Sequence, residues 1–504
     1  MTAAARALTA FCVALLAVQS TVAQGYRLRL DSRFQAASVR GVTLDSVPAS
    51  DTVTGTTGGP TTPDGYAVSC NPNNYCTFYR GGPMVHAAPV TTTADVTVWG
   101  LGVRGLSLHA EGRVAGDLSS GDNWPGTDAH VELFEGYAQY AAERFTVQLG
   151  RQAVTTRFGF AGFDGGQVTL RDPSHGLEIS GYGGWGLARG AAIPVTSPAL
   201  NPLDDFQPVE RQLVAGASAA WTSARADARL EYQREVDPSV DYFVSERAGV
   251  NVAVRPYRGW SLKGGADYDL AAGSWGSAEA SLGFAPISGR VAATLGVRRY
   301  RPHSDLWTIW GAFSPVPYRA VDASVSFAPV ARLRLRASGE SYTFANAEAA
   351  TPLVAYEKSG WRFAWGGTYT LSPRWTFDGG YHSEFGPGAS SRGFEGAVTF
   401  TPGEFLALSI QGSTLDRPLE FRFDESSLHM YGVNAEYRAS SRTRVQFDAS
   451  RYAEDRQRPD AAGFDWNQVR VSARVVLLFG GGSDTDLGNL PPAVRRMPGG
   501  REER

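Results

Sequence analysis

Apolar and polar side chains alternate along almost the whole chain, and this alternation limits the possible folds more than any other feature. A typical segment is "WSLKGGADYDL" at 260–270, in which two sets of residues interleave: apolar Trp260, Leu262, Ala266, Tyr268 and Leu270, and polar Ser261, Lys263, Asp267 and Asp269. Side chains of a β-strand point to opposite faces in turn, so a period of two predicts strands with one apolar and one polar face.

The connections between these segments also alternate, between short turns and longer stretches. Tight turns such as 172–176, 255–259 and 371–374 are followed by longer connections such as 302–317 and 346–356. Short turns at one end and long loops at the other are typical of bacterial outer-membrane barrels, which have an even number of strands. We therefore predict an all-β, transmembrane, antiparallel up-and-down barrel of about 22 strands, within a range of 18 to 22.

A soluble β-sandwich would also alternate, so the decision depends on what lies along the apolar face. This face ends repeatedly in aromatic residues, which a membrane barrel places at both water interfaces. They are Trp221, Tyr232, Tyr242, Trp260, Phe284, Phe327, Trp361, Trp365, Trp375, Phe400 and Phe479. Only a closed barrel pairs all strand backbone groups within a bilayer, so we expect a barrel in the outer membrane, surrounded by its lipid.

The two ends of the chain differ from the repeating part. Residues 1–23 combine Arg6, a short apolar core and a small-x-small cleavage site before Gln24, which predicts a secretory signal peptide. The barrel is expected at 24–480, built by the outer-membrane assembly machinery, with a disordered periplasmic tail at 481–504 that is rich in Gly, Pro and charge. No plug domain is expected before the first strand.

Two cysteines remain after the signal segment, Cys70 and Cys76, in a long outer loop at about 43–90. A close pair in an exported chain favours a disulfide. Two free thiols are the alternative, and a metal site is disfavoured because no His or further Cys accompanies the pair. We expect no metal and no cofactor.

The polar faces of the strands carry many arginines, which a barrel would direct into its lumen. The candidate pore-lining residues are Arg27, Arg29, Arg33, Arg290, Arg298, Arg332, Arg334, Arg336, Arg362, Arg444, Arg470 and Arg474. Rows of arginine select anions and bind oxyanions with two parallel hydrogen bonds. The same faces carry many Asp and Glu residues, so the alternative is that the arginines are paired with acids and stiffen the wall. The net charge of -3 excludes a globally basic nucleic-acid binder.

The segment 132–171 contains three short motifs in order: "EGY" at 135–137, "LGRQ" at 149–152 and "FDGG" at 163–166. Together they resemble the adjacent-strand signature of the alginate-export-type outer-membrane porin family. The resemblance covers about 40 residues and makes Glu135, Arg151 and Asp164 the signature positions. It implies a plugless barrel that passes an anionic polysaccharide out of the cell, in partnership with periplasmic polysaccharide-export proteins.

The sequence thus leaves three functions open. Export of a polar or anionic exopolysaccharide is the first, a general or substrate-specific diffusion porin for small solutes is the second, and a surface structural or adhesion barrel is the third. An enzyme is disfavoured, because the seven histidines are scattered and no nucleophile or metalloprotease motif is present.

Overall fold

The structure of the chain is a computed structural model. It describes residues 25–54, 59–66, 68–72, 74–119, 130–187, 212–236, 243–286, 289–301, 317–344, 359–386, 389–416, 426–456 and 466–482. The predicted signal peptide and most of the predicted tail lie outside these residues. None of the described segments is a helix of the length and hydropathy needed to span a bilayer.

The described residues form 26 strands and one short 3-10 turn at Ala49–Asp51. The strands are β1 (Gly25–Pro48), β2 (Val53–Thr54), β3 (Pro60–Thr61), β4 (Ser69–Cys70), β5 (Tyr75–Ala87), β6 (Pro89–Trp99), β7 (Leu106–Asp117), β8 (His130–Ala141), β9 (Phe145–Thr156), β10 (Gly159–Asp172), β11 (Leu177–Gly186), β12 (Leu213–Thr222), β13 (Ala226–Val236), β14 (Phe243–Val254), β15 (Trp260–Asp269), β16 (Ser274–Phe284), β17 (Val291–Tyr300), β18 (Tyr318–Val330), β19 (Leu333–Phe344), β20 (Ser359–Ser372), β21 (Trp375–Gly386), β22 (Ala389–Phe400), β23 (Leu406–Asp416), β24 (Ser426–Ser440), β25 (Thr443–Arg456) and β26 (Trp466–Gly482).

Twenty-two of these strands, β1 and β6 to β26, form one closed antiparallel barrel. Each strand from β6 onward pairs with the next along the chain. The barrel closes because β1 pairs with β6 on one edge and with β26 on the other, from Gly25↔Gly482 to Ala37↔Arg470. We call the β1–β26 junction the seam. The predicted strand number and the even count are confirmed.

Ten tight turns lie at the end of the barrel where β1 begins and β26 ends, which we call the turn end. In each turn the backbone carbonyl of the last residue accepts a hydrogen bond from a backbone N–H at the turn end of the neighbouring hairpin. Arg255 N donates to Arg225 O at 2.7 Å and Thr370 N to Arg332 O at 2.8 Å, for example. These bonds join neighbouring hairpins around the whole rim, as a closed sheet requires.

The apolar face of the sheet points outward and stays exposed. Ile410 is 67% exposed and Leu230 is 60% exposed, values that a protein in water rarely shows for so many large apolar residues. Aromatic pairs stand at both ends of this face: Trp260–Phe284 at 4.7 Å between ring centroids at the turn end, and Trp361–Phe385 at 6.5 Å at the opposite end, the loop end. The apolar band and its two aromatic belts place the protein in the outer membrane.

The region predicted as a long outer loop is largely a β-hairpin. β1 continues past Ala37 to Pro48; its pairing with β26 ends at Ala37, and along the other edge β5 takes the place of β6. At roughly 3.3 Å per residue the extension is about 36 Å long. Leu44 and Tyr75 are both about half exposed. At its tip the disulfide Cys70–Cys76 is formed, as predicted, and Tyr66 packs on Phe78. We call the described residues from 38 to 87 the projecting hairpin.

Candidate functional site

The upper half of the β9–β10 hairpin leaves the barrel wall. Pairing of β8 with β9 ends at Gly136↔Arg151, and pairing of β10 with β11 ends at Phe163↔Gly186. Beyond these points residues 153–156 have no strand partner except residues 159–162. The hairpin is therefore free of both neighbours in its upper half and can bend away from the wall. We call residues 152–162 the inner hairpin.

A row of glycines makes this bend possible. Gly150, Gly165 and Gly184 are paired side by side on β9, β10 and β11, on the face that points into the lumen. A Cβ on Gly165 would collide with the backbone oxygen of Gly183, and one on Gly184 would collide with the backbone oxygen of Asp164. Gly150 also has φ +133°, which side-chain-bearing residues rarely adopt. The concave side of the bend thus has no room for side chains.

Two of the three signature residues brace this bend. Arg151 Nε donates to Asp164 Oδ1 at 2.8 Å and Nη2 to Oδ2 at 3.1 Å, a two-pronged ion pair across β9 and β10. Arg151 Nη1 also donates to the carbonyl of Leu133 on β8 at 3.0 Å. Glu135, the third residue, lies on the opposite face and contacts His109. The motifs therefore mark the hairpin base, and Arg151 and Asp164 have a structural role there.

The turn of the inner hairpin, Arg157–Phe158, reaches the inner face of β13 to β16. Arg157 Nη1 and Nη2 donate to the two carboxylate oxygens of Glu279 at 2.6 and 2.8 Å, and Nε donates to Asp267 at 3.2 Å. Asn251 Oδ1 and Ser277 Oγ accept further bonds at 2.6 and 3.1 Å. The side chain of Arg157 is only 7% exposed. One guanidinium thus fastens the tip to three strands of the wall.

The remainder of the tip completes this docking. Arg157 N donates to Glu231 on β13 at 2.7 Å, and the Phe158 carbonyl accepts from Arg247 Nη1 at 3.2 Å. The Arg247 guanidinium also stacks 5.1 Å from the Phe158 ring centroid. Gly249 lies directly beneath, where a Cβ would meet both Arg157 and Phe158. The wall is therefore shaped to receive the tip.

The inner hairpin covers a group of polar side chains that would otherwise face the open lumen. Gln233, Glu235, Ser245 and Arg247 are all less than 9% exposed, although each is polar. Gln233 Oε1 accepts from Tyr182 Oη at 3.1 Å and from Thr156 Oγ1 at 3.3 Å. Polar groups buried with partners of this kind hold a segment in one conformation. The inner hairpin is thus held against the inner face of β13 to β16.

The candidate arginines at the seam lie on the polar face of β1, β25 and β26. Arg33 is paired in register with Arg474. Asp31 accepts from Arg29 at 3.0 Å and from Arg474 Nε at 2.8 Å, and Arg444 lies 3.4 Å from Glu436. Arg27 stacks on Trp99 and Arg470 on Tyr452. The strip is continuous across the closing strands and is partly neutralised by acids.

The second group of arginines is more fully paired. Arg298 and Arg362 share Glu340, Arg362 also lies 3.5 Å from Glu384, and Arg336 donates to Asp378 at 3.0 Å. Arg334 is exposed and has no ion pair with any residue that the structure describes. Two candidates lie outside the strands: Arg290 and Arg332 occupy the last positions of tight turns, before β17 and β19.

The structure brings together a cluster that the sequence does not reveal. His109 and Glu111 on β7 and Glu135 on β8 offer ligand atoms within 4.8 Å of one another, the arrangement a cation would need. Asp95 lies beside them, with Oδ1 3.7 Å from His109 Nδ1, and Thr97 Oγ1 is 3.0 Å from the same nitrogen. His109 and Glu111 share a strand face at i and i+2, which was the available sequence signal.

Comparison with known proteins gives no family. No family model matches the chain, and no curated protein matches it. Among solved structures, the chain is similar to the copper transporter OprC (11% identity, 89% of this chain and 80% of that chain, TM-score 0.48). It is also similar to a BenF-like porin from Pseudomonas fluorescens Pf-5 (10% identity, 90% and 99%, TM-score 0.39). A third is the outer membrane protein OprD from Pseudomonas aeruginosa (8% identity, 93% and 96%, TM-score 0.38).

Proposed function

We propose that the protein is a diffusion porin for small polar solutes, with a moderate preference for anions. The observation that carries this proposal is the inner hairpin. Its tip is fastened inside a 22-stranded barrel by Arg157, so it narrows a lumen that would otherwise be too wide to discriminate among small solutes. A fixed constriction of this kind suits small solutes better than a polymer chain, which is the cargo that the alginate-export resemblance implies.

The charges along the lumen support a moderate rather than a strong anion preference. Several arginines are neutralised by acids, as Arg336 is by Asp378 and Arg298 by Glu340. Arg33 and Arg334 have no ion pair with any described residue, and both are exposed. Exposed arginines without partners attract anions, and the neighbouring ion pairs keep the potential moderate.

Planar-bilayer recording of the purified chain tests this proposal. We expect stable ohmic channels, a reversal potential in a KCl gradient that shows chloride passing more readily than potassium, and free entry of monosaccharides in liposome-swelling assays. Insertion without conductance would contradict the porin and favour the surface structural or adhesion role. Loss of a surface polymer on gene deletion, together with current block by long anionic oligosaccharides, would favour the export role.

A further inference from the structure

We propose that the lumen wall at the seam contains a binding site for a doubly charged oxyanion of the phosphate type, close to the turn end. The site rests on the proposed porin function, because its ligand would reach it through the lumen. Four neighbouring elements form it: β24, the β24–β25 turn, β25 and the β26–β1 seam. Their arginines are Arg29, Arg438, Arg442, Arg444 and Arg474, around a cavity of about 200 Å³.

The volume fits a small hydrated anion. A water molecule takes about 30 Å³ of liquid, so the cavity of about 200 Å³ has the capacity of roughly seven waters. That is enough for one tetrahedral oxyanion with part of its hydration shell. The polar side chains of Ser440 and Gln446 complete the lining and add hydrogen-bonding groups. A ligand here would meet guanidinium forks, which match the geometry of phosphate and carboxylate oxygens.

The charge balance of the site is strongly positive. Five arginines share two carboxylates: Asp31 pairs with Arg29 and Arg474, and Glu436 pairs with Arg438 at 2.9 Å and Arg444 at 3.4 Å. Arg29 also lies opposite Asp95 of β6 in register, so two positive charges remain uncompensated around the cavity among the described residues. A dianion matches this excess, whereas a single carboxylate leaves one charge.

The second arginine group of the same barrel provides an internal comparison. There Arg298, Arg336 and Arg362 face the three acids Glu340, Glu384 and Asp378, so only Arg334 among the strand residues of that group has no acid partner in the described part of the chain. Holding like charges together without matching acids is unfavourable, so the excess at the seam indicates a ligand that supplies the missing negative charge.

Arg442 is the residue best placed to receive such a ligand. Its turn is held against the seam, because Leu478 N on β26 donates to the Arg442 carbonyl at 2.8 Å and Arg442 N donates to Ser440 Oγ at 3.1 Å. Its side chain is exposed and has no ion pair with any residue in the described part of the chain. The backbone is thus fixed while the guanidinium remains available.

Calorimetric titration of the full chain in detergent with sodium phosphate, sulfate and acetate, at constant ionic strength, tests the site. We expect one phosphate or sulfate per chain and weaker binding of acetate. The R442Q/R444Q double variant should bind phosphate at least tenfold more weakly, since each charge-assisted hydrogen bond contributes substantially to affinity. Arg374 is the matched control: it is an exposed arginine at the last position of another tight turn, so R374Q should bind phosphate as the native chain does.

The outcomes separate the site from the channel. Folding of every variant is checked first by the heat-dependent shift in gel mobility that intact barrels show. Absence of phosphate binding by the native chain, or equal loss in R374Q and R442Q/R444Q, would overturn the site. If native chain binds phosphate but inserted barrels carry no current, the porin proposal fails and the site stands. If current is normal but phosphate neither binds nor slows it, the site fails and the porin stands.

Discussion

Replacing Arg157 with alanine should release the inner hairpin from the wall. The native side chain makes five hydrogen bonds, two of them to Glu279 and one to Asp267. Removing one partner of a buried ion pair costs about 3–5 kcal/mol, because the other charge is left without compensation. Glu279 is nearly half exposed and regains water, so the lower limit applies. A loss of about 3 kcal/mol lowers the ratio of docked to undocked hairpin about a hundredfold.

Single-channel recording measures this change directly. We expect R157A to give larger and noisier currents than the native chain, and R157K to lie between them, because lysine keeps the charge but cannot form the two-pronged contact. The control is R392A, which removes an ion pair to Asp416 at 3.1 Å whose arginine is 68% exposed. Pairs of that kind contribute about 0–1 kcal/mol, so its current should match the native one.

If R157A and the native chain give the same current and the same noise, the inner hairpin does not limit the aperture or does not depend on Arg157, and the reasoning fails.

Three further predictions concern the scaffold. G184V should lower the yield of folded barrel, because the added side chain collides with backbone on the concave side of the bend. G181A should leave the yield unchanged, since its Cβ meets only one atom, at 3.9 Å. Gel mobility shifts measure the folded fraction of both variants. The C70S/C76S variant should keep the thermal stability of the barrel, because the disulfide lies at the tip of the projecting hairpin; a large drop in melting temperature would contradict this. I410R places a charge on the outward face in the middle of β23 and should destabilise the barrel in lipid by about 2–4 kcal/mol in denaturant titrations.

The barrel could be predicted from sequence because its signals are local. Alternation over about ten residues fixes a strand and its two faces, and a turn fixes its end, so the strand count follows by adding such segments. The segment containing Gly165 and Gly166 gives only a weak strand signal in the sequence, since glycines carry no alternation. The structure explains this, because β10 bends there and needs the glycines for that reason.

The inner hairpin was not predictable because its contacts are distant in sequence. Arg157 and Glu279 are 122 residues apart, and nothing near either residue specifies the other. The available sequence signal was a two-residue connection at the loop end. Glycines before and after it align across three strands. Likewise the alternation could place Arg290 and Arg332 on the polar side of a strand, but only turn geometry shows that they end tight turns.

The continuity of β1 has a mechanical consequence for the whole barrel. The strand runs unbroken from the seam to the projecting hairpin, and Ala37 is both its last residue paired with β26 and its first paired with β5. A force applied to the projecting hairpin is therefore transmitted along β1 to the seam, where the barrel closes. Any partner that binds the Cys70–Cys76 tip therefore pulls on the same strand that carries Arg29 and Asp31 inside the barrel.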